Sequence, residues 1–307
     1  MKLSVGILGT GWVGSSVAIS VLQAGFATDL LLADLRPELA EGEAMDLAQG
    51  APFYPSASVH AVARQGLLQS DALVIAAGHN GTPTQSRLEL LAANAVILRE
   101  IGESLRGYRG IVVVVTNPVD VLTQLLAESS GLPPQRVIGT GTMLDTARLR
   151  QMIGEEINID PRSVHAQVIG EHGDSEVVLW SSAHVGGVPL RQWPGWRPER
   201  EPVLAELVRR AGFEIIKRKG ATNHAIGLVT ATLLRGLLRG ERRVETVSRV
   251  HAGALGRTDV AYSLPTVLDV TGAADVLMPT MTSMEREALD RSADVLRAAR
   301  ASVLPAL

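Results

Sequence analysis

The sequence predicts a doubly wound α/β fold, a parallel sheet covered on both faces by helices, followed by a half in which strands and helices no longer alternate. Three observations lead there. Four runs, residues 3–8, 30–33, 72–77 and 111–115, are apolar almost without a break, as strands covered on both faces must be. Between them, residues 12–23, 37–49 and 87–105 carry apolar side chains three or four positions apart, the spacing of a helix with one buried stripe. That alternation stops near Gly141. A repeated strand, helix, strand order implies right-handed crossovers and parallel pairing.

Beyond Gly141 a helix is expected over 144–152, then extended runs over 163–169 and 176–180. A longer helix follows, ending at Gly220, with Leu204, Leu207, Val208, Ala211 and Ile215 on one face. Another runs from about 222 to 238, and extended runs over 244–255 and 260–270 lead to a last helix. Thr282 and Glu285 stand at its start with capping-box spacing. Its expected buried face holds Met284, Ala288, Leu289, Val295, Leu296, Ala299 and Val303. The 307 residues fit two domains of roughly 150 residues, divided here into 1–141 and 142–307.

Composition excludes several classes of function. Lys and Arg total 29 against 32 Asp and Glu, and aromatics are 3%, so neither a basic surface nor stacking platforms invite nucleic acid. There is no cysteine, which rules out disulfides, thiolate zinc sites and cysteine nucleophiles and fits the reducing cytoplasm. No resident metal is expected. Residues 3–28 carry no charge and could span a bilayer by length. However, Gly6, Gly9, Gly11 and Gly14 interrupt them, each costing a helix about 1 kcal/mol relative to alanine, which argues against a membrane or export segment.

The first strand runs into Gly9-Thr10-Gly11-Trp12-Val13-Gly14, a G-x-G-x-x-G turn opening a helix. Absent side chains let the backbone turn tightly and approach a pyrophosphate, whose charge meets the helix N-terminus. Asp34 ends the second strand, 20 residues after Gly14, where an acid binds a ribose 2′-hydroxyl and repels a 2′-phosphate. The first half therefore reads as a Rossmann domain for NAD rather than NADP, although neighbouring Arg36 softens that preference.

Glu171-His172-Gly173-Asp174-Ser175 follows an extended run, placing a histidine at a strand end among small residues. Histidine titrates near neutrality, which suits proton exchange with a hydroxyl or carbonyl, yet an isolated histidine is more often structural. Asp145 and Arg148 share a helical face at i, i+3, which describes either an acid and a guanidinium lining one pocket or an ordinary surface pair. Arg87 begins a helix after the polar loop 78–86, the position of a ligand-covering lid or of an unremarkable helix-start charge.

Several ordered motifs point further: Gly139-Thr140-Gly141-Thr142, Leu144-Asp145-Thr146-Ala147-Arg148, Gly170-Glu171-His172-Gly173-Asp174-Ser175-Glu176 and Trp180-Ser181-Ser182-Ala183. With Thr116-Asn117-Pro118-Val119-Asp120 and Lys219-Gly220-Ala221-Thr222, the chain resembles the L-lactate/malate dehydrogenase family along essentially its whole length, most of all its bacterial L-lactate members. The resemblance implies a C-terminal α+β catalytic domain acting on a small 2-oxo or 2-hydroxy acid. In it His172 exchanges the proton, Asp145 orients the imidazole, Arg148 grips the substrate carboxylate and Arg87 closes over the reacting carbonyl. Asn117 and Thr222 line the pocket, and Gly9, Gly11, Val13, Gly14, Asp34, Gly78, Thr116, Asn117 and Thr140 hold NAD.

Gly81 falls where the family reads the substrate's third-carbon substituent, usually through Gln in lactate enzymes and Arg in malate enzymes. Neither reader is present, which disfavours malate and leaves room for pyruvate or bulkier 2-oxo acids. Arg150 and His165 fall where activatable relatives bind fructose 1,6-bisphosphate across a subunit interface, and the resemblance implies a homotetramer. Two other classes stay open at this point: a nicotinamide-using glycosidase, which the lack of cysteine ligands disfavours, and a dinucleotide sensor without turnover.

Overall fold

The computed structural model describes residues 2–79, 87–253 and 258–303. In chain order its elements begin β1 (Ser4–Leu8), α1 (Trp12–Ala24), β2 (Asp29–Ala33), α2 (Pro37–Gln49), β3 (Ser58–Ala61), β4 (Ala72–Ile75), α3 (Arg87–Ser104), β5 (Ile111–Val114), α4 (Val119–Ser130), β6 (Val137–Gly139) and α5 (Met143–Ile157). The short strands β7 (Val164–His165), β8 (Val168–Ile169), β9 (Val177–Val178), β10 (His184–Val185) and β11 (Val188–Pro189) follow. Then come α6 (Glu201–Lys219), α7 (His224–Leu238), β12 (Val244–Ala252), β13 (Thr258–Asp269), β14 (Gly272–Val276) and α8 (Ser283–Val303).

Strands β3-β2-β1-β4-β5-β6 lie side by side and parallel, the order of a complete dinucleotide-binding sheet. Antiparallel β12, β13 and β14 extend the same sheet, β12 meeting β6 at Ser248 and Gly139. Period-two alternation buries both faces. In β4 and β5, Leu73, Ile75, Val112 and Val114 join the core with Leu98, Leu122 and Leu126, while Val74, Ile111 and Val113 join Val17, Val21 and Leu234 on the other side. A third cluster, with Leu149, Ile153, Val168, Leu204 and Val208, packs α6 onto α5 and the small strands.

The expected α/β half and mixed second half are both present, with local differences. Six elements went unread: α4 and the strands β3, β6, β10, β11 and β14. Helix α5 extends to Ile157, beyond the expected 152, and α7 begins at His224 rather than near 222. The extended run 163–169 is two strands, β7 pairing with β10 and β8 with β9, and the run 176–180 is a strand only at Val177–Val178. On α8 the capping box forms: Glu285 N–H donates to Thr282 Oγ1 at 3.2 Å and Thr282 N–H donates to the Glu285 carboxylate at 2.8 Å. Two residues assigned to its buried face are exposed, Met284 at 75% and Val295 at 46%. At about 100° per residue they lie roughly 140° and 120° around the helix from Leu289, off the Leu289, Ala293, Leu296 stripe. Leu207 stands at the edge of the α6 stripe and is exposed too.

Candidate active site

The candidate dinucleotide site lies at the carboxyl ends of β1, β4 and β5, where a doubly wound sheet leaves its binding crevice. Gly9 leaves β1 at φ 96°, where a side chain would strike the Ala77 backbone at 2.5 Å. Gly14 lies in the first turn of α1, and a Cβ there would sit 1.8 Å from the Gly9 carbonyl oxygen, so helix and turn touch backbone to backbone. Gly11, the α1 N-cap, has no heavy atom of the described residues within 4 Å of its Cβ direction, and Val13 packs on the core behind the turn. Asp34 leans on this turn: its carboxylate accepts the Thr10 N–H at 2.7 Å and the Arg36 N–H at 3.1 Å. A free helix N-terminus, an open approach at Gly11 and an acid beside the turn fit a dinucleotide whose ribose carries no 2′-phosphate.

The floor is set by polar groups inside the fold. Thr116 Oγ1 donates to Ala77 O at 2.8 Å, and Thr140 N–H to Val114 O at 3.0 Å. Asn94, fully buried on α3, accepts the His79 N–H at 2.7 Å and donates to the carbonyls of His79 and Asn117 at 3.1 and 2.9 Å. It thus joins the ends of β4 and β5 and fixes Asn117, which precedes a cis Pro118. Gly78 is needed beside it, since a Cβ there would meet Thr116 Cγ2 at 2.5 Å.

The opposite wall carries charge. Thr142 Oγ1 donates to Val168 O at 2.5 Å and Val168 N–H to Thr146 Oγ1 at 3.0 Å, pinning the α5 N-terminus to β8. Gly170 then pairs with Ser263 by two backbone hydrogen bonds of 2.9 Å, and the chain turns His172 back toward α5. His172 Nδ1–H donates to Asp145 Oδ2 at 2.5 Å, and an Arg148 guanidinium nitrogen donates to Asp145 Oδ1 at 2.9 Å. The i, i+3 pair is therefore part of a pocket rather than a surface ornament: Asp145 is 2% exposed.

Burial opposes ionisation of Asp145, but the His172 and Arg148 charges outweigh it and hold its carboxyl below the usual range. Burial would likewise lower His172, and the charge and hydrogen bond of Asp145, with smaller contributions from Asp120 and Glu176, reverse this and raise it to about 9. Three groups here escaped sequence reading. Asp120 accepts the His172 backbone N–H at 2.8 Å. Glu176 is 6% exposed, and burial followed by the Asp145 charge pushes it up to about 8. Asn94 is the third. An Asn within the apolar run 90–98 was the one available signal, because a polar group on a buried stripe needs a built partner.

Other expected site residues divide. Thr222 is half-buried just before α7, beside Asn223, which donates to Ser16 Oγ on α1 at 2.8 Å. Arg87 is the first residue of α3, but its side chain, like all of Gly81, lies outside the described residues. Arg150 Nε donates to Ala166 O at 3.0 Å, and neighbouring His165 stacks on His184 at 4.8 Å. Burial lowers the pKa of His165, and the charges of His184 and Arg150 lower it further. No helix among the described residues is long and apolar enough to cross a membrane. None of the described His, Asp and Glu side chains form a group of three or more that could hold a metal ion.

A dinucleotide turn in one half of the chain and an acid–imidazole–guanidinium chain in the other are the parts of an NAD-dependent oxidoreductase, and comparison with known proteins agrees. Residues 3–139 match the NAD-binding domain of lactate/malate dehydrogenase and residues 142–304 its alpha/beta C-terminal domain. The chain belongs to the lactate/malate dehydrogenase family, and its activity is that of an NAD-dependent L-2-hydroxy acid dehydrogenase. The L-lactate dehydrogenase of Kosmotoga olearia is 43% identical, aligning 98% of this chain with 97% of its own, and that of Thermus aquaticus is 40% identical, aligning 98% with 99%. The minor L-lactate dehydrogenase of Enterococcus mundtii superposes with a TM-score of 0.95 at 38% identity over 98% of both chains.

Proposed function

We propose that the enzyme interconverts pyruvate and L-lactate, with His172 as the proton carrier. The observation that carries this reading is the hydrogen-bonded chain from His172 through Asp145 to Arg148. Asp145 occupies Nδ1, which leaves Nε2 as the nitrogen that gives its proton to the substrate oxygen in reduction and takes it back in oxidation. Arg148 holds the substrate carboxylate through its remaining N–H groups, a planar fork that lysine cannot supply. Arg87 polarises the carbonyl, while Asn117 and Thr222 bound the pocket. When bound, NAD supplies or accepts the hydride at the substrate's second carbon. Gly9, Gly11, Val13, Gly14, Gly78, Thr116, Asn117 and Thr140 hold the dinucleotide, and Asp34 its adenosine ribose. The dinucleotide and catalytic domains divide at 141/142.

Gly81 supports a second reading within the same chemistry, activity on branched or bulky 2-oxo acids, because neither Gln nor Arg stands at the position that reads the substituent. The nearness of Arg150 to the His165–His184 stack supports fructose 1,6-bisphosphate as an activator of a cytoplasmic homotetramer: the mutual repulsion that lowers the His165 pKa would be relieved by a phosphate placed among these groups. Initial rates with pyruvate, oxaloacetate, 2-oxoisocaproate and phenylpyruvate, each with and without the bisphosphate, test these assignments. Pyruvate gives the highest kcat/KM and the bisphosphate raises it; Gly81→Arg shifts the ratio toward oxaloacetate. Preference for 2-oxoisocaproate or phenylpyruvate establishes the second reading, and equal rates with and without the bisphosphate remove the activator.

A further inference from the structure

The two halves of the chain meet where α7 lies along α1. Ala231 and Leu234 of α7 share an apolar cluster with Val17, Ala18 and Val21 of α1, and a Cβ on Gly227 would sit 2.5 Å from the Ser16 carbonyl oxygen, so the helices touch backbone to backbone. Helix α1 belongs to the part matching the NAD-binding domain, α7 to the part matching the C-terminal domain. Asn223 stands at the N-cap of α7, where asparagine ordinarily accepts a hydrogen bond from an N–H of the helix it opens, yet its side chain caps no such group among the described residues. It is directed outward instead: Nδ2 donates to Ser16 Oγ at 2.8 Å, and Oδ1 accepts from Lys219 Nζ at 2.7 Å. Ser16, 7% exposed, lies two residues past Gly14 of the dinucleotide turn, and Lys219 is the last residue of α6. One side chain thus joins three helices.

We propose that Asn223 is a positioning residue for the substrate: it holds the segment 220–222 in register with the helix that opens at the dinucleotide turn, and so fixes Thr222 and the end of α6 relative to the cofactor's helix. This rests on Thr222 and Arg148 bounding the substrate, as proposed above. Apolar packing of α1 on α7 sets their separation but is non-directional, whereas a hydrogen bond has a direction and fixes the helices along their axes. The Ser16–Asn223 bond does so at the end of α7 that adjoins Thr222. Lys219 carries the link into α6, which passes Arg148 closely enough that a Cβ on Gly212 would lie 3.9 Å from the guanidinium. Gly220, at φ 85°, turns the chain between α6 and Thr222. The effect falls on substrate affinity rather than on dinucleotide affinity, because the turn at Gly9 and Gly14 is closed by its own backbone contacts.

The test is steady-state reduction of 2-oxo acids by the full-length enzyme, with NADH binding measured separately by fluorescence titration. Asn223→Ala breaks both hydrogen bonds and raises the KM for the 2-oxo acid about tenfold, while the NADH dissociation constant stays within about twofold of wild type and kcat falls by less than about threefold. Ser16→Ala removes only the acceptor on α1; it raises the same KM about fivefold and carries the test if Asn223→Ala does not fold. The double variant is no worse than Asn223→Ala alone, since the two residues act through one bond. Asn223→Asp keeps the KM within about twofold of wild type, because a carboxylate accepts from both the Ser16 hydroxyl and Lys219. An unchanged KM in the folded alanine variants overturns the proposal. So does a KM that rises in step with the NADH dissociation constant, the mark of a general loosening between α1 and α7. Absence of turnover by the wild type with every 2-oxo acid instead overturns the reading on which it rests.

Discussion

The two walls of the crevice are built by opposite means. The wall at β1 and α1 is made of backbone and of missing side chains: Gly9, Gly11 and Gly14 matter for the space they leave, and Asp34 is held by N–H groups of the turn it supports. The wall at α5 and the segment 170–176 is made of titratable side chains whose pKa values are moved by one another. One wall should therefore fail when atoms are added, the other when a charge is taken away. Binding of the dinucleotide and transfer of the proton should separate experimentally along this line.

The sharpest separation comes from His172→Asn. Removal of a general acid and base lowers turnover about 10²- to 10⁴-fold, while the affinity for NADH, measured by fluorescence titration, stays within about twofold. A parallel loss of NADH affinity would break the division. For the wild type, His172 is raised above its ordinary 6.5 by Asp145, so its protonated form is present at neutral pH and disappears through about 9. Reduction consequently declines and oxidation rises across that interval, which initial rates in the two directions check.

The same division decides what could be read from the sequence. Gly9, Gly11, Gly14 and Asp34 are legible because the turn is local and its spacing is set by backbone geometry. His172, Asp145 and Arg148 are legible as candidates, but nothing in their spacing says that Asp145 turns inward; the pinning of α5 by Thr142 and Thr146 to Val168 decides that. Helix α4 was missed for a different reason. Asp120, Thr123, Gln124 and Glu128 recur at helical spacing, but Val119 to Ala127 are all buried, so this polar stripe does not mark a solvent face. Strand β3 failed in the opposite sense, as a partly exposed edge strand of four residues whose Ser58 and His60 face outward. Asp120 could not be assigned at all, because its partner is a backbone N–H 52 residues away.

Alanine substitutions at two neighbouring glycines sharpen the comparison on the other wall. Gly14→Ala drives a methyl into the Gly9 carbonyl at 1.8 Å, backbone against backbone, and overpacking of this kind costs about 1–3 kcal/mol. Thermal unfolding should show a Tm several degrees lower, together with weaker NADH binding. Gly11→Ala meets nothing within 4 Å among the described residues, so its Tm stays at the wild-type value while NADH affinity falls, because the methyl then occupies space the dinucleotide needs. Equal effects on Tm would show that the two glycines serve one structural purpose and that the opening at Gly11 has no ligand to admit.

The smallest effect is expected at Glu176, and its sign is informative. Burial and the Asp145 charge raise this carboxyl to about 8, well above the ordinary 4.5, so it holds a proton at pH 7 in the folded enzyme and gives it up on unfolding. Stability from such a group declines as pH rises from the unfolded value toward the folded one, since the native state binds the extra proton. Glu176→Gln removes that penalty without changing the charge present at neutrality. Its Tm should exceed the wild type by a few degrees at pH 7, with the advantage vanishing near pH 4.5, while turnover at pH 7 changes less than about threefold. Above pH 8 the variant also lacks a negative charge near His172, so its alkaline limb for reduction moves slightly downward. A charged wall thus contains one member that is neutral when the enzyme works; a lower Tm in Glu176→Gln at pH 7 would instead mean that Glu176 is ionised there and paired with Arg148 or Arg209.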